Sequence, residues 1–255
     1  MTTNLLDDLR LLPPARMRRV LRSSAGCIAA VLMLSACSGG SHQGTTVTYE
    51  RPKEPVDTLK PGPFNPNLNV SHLTMLSGGG RAAFAIEVYH VKRLQANVPV
   101  ILHLLGSERE VLYSTGAGHL PPSLQYIALL RPGQDAWWVD DQIPARLASS
   151  GATVRVGTGT TPRLHSIPDV LTTGIHLRRQ GGLAVLSGDL INRSATTQTK
   201  VAVYAVALRS NQIVAAGRAV VETLPPHGSH TPFQMSLVGD PAGGRIEVTV
   251  APTAH

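Results

Sequence analysis

From Ser71 onward no stretch of this chain carries a helical period, and that restricts the fold more than any other feature. Short runs rich in Val, Ile, Leu, Thr and Tyr alternate with clusters of Gly, Pro, Asn and Ser every 8 to 15 residues or so. That rhythm belongs to an all-β sandwich or barrel. In Ala83-Phe84-Ala85-Ile86-Glu87-Val88-Tyr89 the large apolar residues Phe84, Ile86 and Val88 alternate with lighter ones, which packs one face of a strand. Two runs, Val98 to Leu105 and Val201 to Leu208, are apolar on both faces instead. An antiparallel strand of that kind needs a cover on its outer side, and another domain, a partner or a second copy could supply it.

A weak internal repeat gives the organisation. His72-Leu73, a Gly-rich turn, the strand Ala83 to Tyr89 and the strands Val98 to Leu105, Val111 to Ser114, Ala136 to Ile143 and Ala152 to Gly157 form one series. About 95 to 105 residues later His176-Leu177, Gly181-Gly182, Leu183 to Ile191, Val201 to Leu208, Ile213 to Ala216, Pro232 to Leu237 and Arg245 to Val250 repeat its order. The expectation is two tandem β-sandwich domains, residues 71–157 and 174–255, joined by a linker at 158–173 that contains Pro162 and Pro168.

The second unit resembles the small immunoglobulin-like domains of bacterial envelope lipoproteins, the FxLYD type among them. The likeness lies in Ser187-Gly188-Asp189-Leu190-Ile191-Asn192, a strand pair around Val201 to Ala216, and Leu224-Pro225-Pro226-His227-Gly228 leading to Phe233. Val206-Ala207-Leu208-Arg209 stands where that type carries its aromatic segment. The resemblance implies immunoglobulin-like sandwiches acting as interaction or scaffold modules without catalytic residues.

The start of the chain reads differently. Arg16, Arg18, Arg19 and Arg22 precede an apolar run from Ala25 to Leu34, and Leu34-Ser35-Ala36-Cys37 closes it. A run of about ten residues is too short to span a bilayer, which takes roughly 20. Residues 1–36 therefore read as a signal peptide. Its end resembles the lipobox of bacterial lipoproteins, which implies a diacylglycerol on the Cys37 thiol, further acylation of the palmitate kind, and cleavage just before that residue. Met17 followed by Arg18-Arg19 already opens a signal of ordinary length, so residues 1–16 read as an upstream mis-start. Residues 37–70, rich in Gly, Ser, Thr and Pro, read as a tether between the lipid and the folded part.

The charge of +7 shrinks once the signal is removed. Residues 1–36 hold five Arg and two Asp, so the mature chain keeps 18 basic and 14 acidic residues. With that balance, no basic run and aromatics at only 4 %, a nucleic-acid partner is not expected. Cys37 is the one cysteine left after cleavage, so disulfides, thiol catalysis and cysteine metal sites are not expected either.

Candidate chemistry is sparse. His227-Gly228-Ser229-His230 is the closest histidine pair, without acidic or sulfur ligands at tight spacing, and reads as a polar turn. His72 with Met75 lacks the recurring pattern of copper carriers, and no G-x-S-x-G is present. Asp140 and Asp141, as strand neighbours, point to opposite faces and read as a solvated strand end. Gly78-Gly79-Gly80-Arg81 leads into a strand, which deprives it of the helix terminus that a phosphate cradle uses.

Trp137 and Trp138 stand out. Adjacent strand residues face opposite ways, so one fills a core and the other lies outside or beneath a cover. With Tyr126, the pair marks a candidate partner surface. The chain is thus expected to be lipid-anchored through Cys37 at the extracytoplasmic side of a membrane, binding an envelope protein or glycan, with neither cofactor nor catalytic residues. The alternative is a His-based metal-binding or enzymatic envelope protein.

Overall fold

The computed structural model describes residues 54–118, 120–163 and 166–253; Cys37, the signal segment and both candidate start residues lie outside them. The first half comprises β1 (Asn69–Gly78), β2 (Arg81–Tyr89), β3 (Gln95–Leu105), β4 (Val111–Ser114), a one-turn helix α1 (Pro122–Gln125), β5 (Tyr126–Leu130), β6 (Ala136–Ile143) and β7 (Gly151–Val156). The second comprises β8 (Val170–Gln180), β9 (Leu183–Asn192), β10 (Gln198–Arg209), β11 (Gln212–Leu224), β12 (Ser229–Gly239) and β13 (Arg245–Ala251). The protein is all-β with antiparallel sheets, in the manner of a sandwich.

Strand pairing repeats from half to half. β2 lies between β1 and β6, and β9 lies between β8 and β12. β3 carries β7 on one edge and β4 with β5 on the other, while β10 carries β13 and β11. The two-residue turns Gly79-Gly80 and Gly181-Gly182, with left-handed φ of 58°, 71°, 57° and 81°, stand 102 positions apart. The register shifts between Ser71 and Thr74 and between Thr173 and His176 keep the same offset. β11 pairs with β12 only at Ala215↔Gly239 and Ala216↔Val238, a short junction at which the six-stranded sheet β13-β10-β11-β12-β9-β8 passes from one three-stranded part to the other. One departure breaks the repeat. Where β11 runs unbroken, the first half has β4, a loop with α1, and β5.

Packing crosses the halves although pairing does not. Val201, Val203, Ala205 and Ala207 of β10 point into the second sandwich. The alternate residues Ala202, Tyr204, Val206 and Leu208 belong to the core formed with β2 and β6. The first half is thus the cover that the two-sided apolar run of β10 requires. The result is four β layers in which β6 is buried on both sides. Burying such apolar faces contributes about 25 cal/mol per Å2 removed from water.

The equivalent outer face of β3 has a different cover. Val98, Val100, Leu102 and Leu104 face the core, while Ile101 and His103 face residues 54–68. That segment falls within the stretch expected to be a tether. Asn65 within it is fully buried, with Nδ2 donating to Gln95 Oε1 at 2.8 Å and to the Gly157 carbonyl at 2.9 Å. Asp57 bridges to Ala117 and Phe64 to Gly157. Proline content fixes local extension but does not decide whether a segment lies on a sheet, and here it lies as a strap.

Candidate functional site

Trp137 and Trp138 do face opposite ways, and both are buried. Trp138, 0 % exposed, fills the first sandwich, and its Nε1 makes no hydrogen bond among the described residues. Trp137, 5 % exposed, lies under the second half: its Nε1 donates to Glu247 Oε2 at 2.8 Å and its backbone N–H to Thr249 Oγ1 at 3.2 Å. The His72 ring meets it edge-on at 5.8 Å. The expected partner surface at Trp137 and Trp138 is therefore corrected to an internal seam, because β13 covers the face on which Trp137 stands.

Asp140 and Asp141 form no solvated strand end. Asp140 is fully buried, accepting from the Tyr113 hydroxyl at 2.7 Å and from the Gln142 backbone N–H at 2.9 Å. Burial pushes its carboxyl up to about 6 against the lowering effect of those two bonds, and the nearby Asp141 pushes the same way. The Tyr113 hydroxyl is raised as well, by burial first and by Asp140 second. Asp141 faces the other layer, 3.4 Å from Arg218 Nε and 3.5 Å from Arg81 Nη2. The sequence pattern shows alternation but not that both sides of β6 are covered.

Arg218 is the centre of the seam. Its side chain is 6 % exposed, and Nη1 donates to Ser123 Oγ at 2.6 Å. The Tyr204 hydroxyl, raised by burial, donates to the Ser123 carbonyl at 2.8 Å. The inserted loop of the first half is thereby fastened to β10 and β11 of the second.

Beside this fastening lies a cleft of about 600 Å3. Its apolar wall includes Pro122, Tyr126, Ala128, Ala202 and Val220, and its polar groups include Asn97, Ser123, Gln142, Lys200, Arg218 and Glu222. Tyr126, the third residue of the expected surface, is half-buried and lines this cleft. Two lining residues have left-handed backbones inside long strands: Asn97 with φ of 50° and Lys200 with φ of 52°. The ladder skips each of them, between Ala96 and Val98 and between Thr199 and Val201. A lysine in that region is uncommon, and such strain is found disproportionately at ligand sites.

Asn97, Lys200 and Arg218 did not stand out in the sequence. A usable signal exists for Arg218 alone, a charge inside the run Ile213-Val214-Ala215-Ala216-Gly217-Arg218-Ala219-Val220-Val221. An arginine so placed needs a buried partner or a ligand.

A second hollow, about 540 Å3, lies between the strap and β3, with Asp57, Phe64, His103 and Arg155 in its wall. Asp57 accepts from Ser114 Oγ and lies 2.7 Å from His103 Nε2. The carboxylate thus stands between the hydroxyl and the imidazole, an order that does not let histidine act as base for the serine. Among the described residues no three His, Cys, Asp or Glu side chains are grouped to hold a metal ion. His227 and His230 flank the turn before and at the start of β12. No protein-family model matches the chain, and no curated protein matches it.

Proposed function

We propose that this chain is a lipid-anchored, non-catalytic binding module of the cell envelope, and that its contact site is the seam cleft. The observation that carries this reading is the departure from the repeat. A half that otherwise repeats the other strand for strand interrupts one strand to insert Pro121 to Gln125, and this insertion builds a wall of the cleft. Loops that depart from a rigid scaffold are where binding function concentrates. The lipobox-like Leu34-Ser35-Ala36-Cys37 supports anchoring at Cys37, and the stretch from Ser38 to the strap can extend several nanometres at about 3 Å per residue.

The test is photo-crosslinking in intact cells. A photoreactive residue in place of Tyr126 should capture an envelope protein or glycan, while the same residue in place of Arg178, on β8, should not. Equal capture at both positions, or none at Tyr126, removes the cleft as the contact site. In the same cells Cys37→Ala should abolish labelling by a fatty-acid analogue.

A further inference from the structure

We infer that the seam cleft takes a single carboxylate carried on an apolar body; this rests on the contact reading above and names the chemistry of its ligand. The donor that points to it is Arg218. Its Nη1 donates to Ser123 Oγ at 2.6 Å, and its Nε, 3.4 Å from Asp141, is buried without a hydrogen-bond partner among the described residues. A guanidinium ordered by Ser123 on one side and Asp141 on the other, and standing in the wall of a cleft, is a prepared anion donor. The ordering entropy of that side chain is already lost before any ligand arrives.

Lys200 supplies the second cation. Its side chain is exposed at the cleft and its strand kinks into the left-handed region there, as the strand of the first half does at Asn97. The two positions are equivalent within the repeat: Val98, Val100 and Leu102, facing the core of the first half, correspond to Val201, Val203 and Ala205, facing that of the second. The repeat thus presents the same kink twice to one cavity, with an amide on one side and an ammonium on the other. Ser123 and Gln142 add neutral hydrogen-bonding groups.

Charge sets the valence. Glu222 stands in the wall of the cleft, in the strand position facing Lys200, and Asp141 lies behind Arg218. A second negative charge on the ligand would meet both carboxylates, which favours a carboxylate over a phosphate monoester. Pro122, Tyr126, Ala202 and Val220 form a surface against which an apolar chain loses water. A volume of about 600 Å3 falls within the range of small-molecule sites. Both an acyl chain with a free carboxylate and the C-terminal end of an apolar peptide have this chemistry.

Isothermal titration of the full mature chain, carrying Cys37→Ser so that no detergent is needed, tests it with sodium decanoate, 1-decanol and decyl phosphate. Decanoate should bind saturably and at least about tenfold tighter than either of the others. Lys200→Gln should weaken decanoate about fivefold without moving the melting temperature, and Arg218→Gln should weaken it more if that variant stays folded. The tripeptide Leu-Val-Ala, with its C-terminus free or amidated, separates the sources. Tighter binding of the free tripeptide than of decanoate identifies a peptide end, and the reverse identifies an acyl chain. Absence of saturable binding, equal affinity for decanol, or an unchanged decanoate affinity in Lys200→Gln overturns the inference. If crosslinking at Tyr126 persists while decanoate fails, the contact reading stands and the carboxylate falls. If decanoate binds while crosslinking fails, the carboxylate site stands and the contact reading falls.

Discussion

Trp137 of β6 and Glu247 of β13 join the two halves through a single indole-to-carboxylate hydrogen bond of 2.8 Å. Around it the Trp137 ring is buried, while Glu247 keeps some contact with water. Packing and polar contact at this point therefore separate under mutation. Trp137→Phe should cost about 1 kcal/mol, since Glu247 can rehydrate, whereas Trp138→Ala should cost about 3–5 kcal/mol by opening a core cavity. Urea unfolding of both variants checks the order, and a Trp137→Phe loss as large as that of Trp138→Ala would contradict it.

Asp140 makes stability depend on pH in a direction opposite to that of a salt-bridged aspartate. Its folded pKa, about 6, lies above the ordinary value of 3.8, so the native state holds the proton more tightly than the unfolded chain does. This contribution is fully present below about pH 4 and is lost as pH rises through about 6. The size is on the order of 3 kcal/mol. Comparing unfolding free energies of the wild type and Asp140→Asn from pH 4 to 7 should show the difference between them shifting across that window, in favour of the variant as pH rises. A constant difference would mean that Asp140 is ionised throughout.

Asp141 and Arg218 are a pair in which removal of one partner leaves the other buried. Asp141→Ala strands a guanidinium whose side chain is 6 % exposed, and should cost about 3–5 kcal/mol. Asp141→Leu combined with Arg218→Met should recover most of that loss, because two apolar groups of similar size leave no buried charge unpaired, and Arg81, whose side chain is 35 % exposed, can turn to water. Thermal melts of the single and double variants measure the coupling. Additive losses would show that the charges do not depend on each other.

Gly157 sets how closely the strap approaches β7. A Cβ there would overlap the Pro61 carbonyl oxygen and press on the Pro99 ring. Gly157→Ala should lift residues 54–68 and make them susceptible to limited proteolysis, with a loss of about 2 kcal/mol from the bonds of Asn65. Unchanged cleavage in that segment would mean that the strap does not depend on this approach.

The parts of this fold that the sequence reveals are those set by neighbours along the chain. Alternation in Ala83 to Tyr89 and the Gly79-Gly80 and Gly181-Gly182 turns identify strands and the repeat, because side-chain period and left-handed turns are local properties. Layering is not local. One of Trp137 and Trp138 reads as facing outward without the sequence saying which; it is Trp137, and only the position of β13 decides that outward means covered. Asp140 and Asp141 mislead for the same reason, as charged strand-end residues whose two sides are both inside. Of the candidate surface, Tyr126 alone lines an accessible cleft, and the residues that give that cleft its charge are scattered from Asn97 to Glu222.

The way the halves stack has a consequence for growth. One sheet of the first unit rests on the other kind of sheet of the second, so the contact is head-to-tail, and a third copy could in principle be added at either end without limit. Both ends are blunted. At the far end, Pro232 and Gln234 occupy the strand positions that Trp137 and Val139 occupy in the first unit, and both are exposed. At the near end the strap lies on Ile101 and His103, where a preceding unit would sit. The chain is in this sense a two-unit fragment of an open polymer with a stopper on each end, and the near stopper is a short stretch of chain that belongs to no sheet.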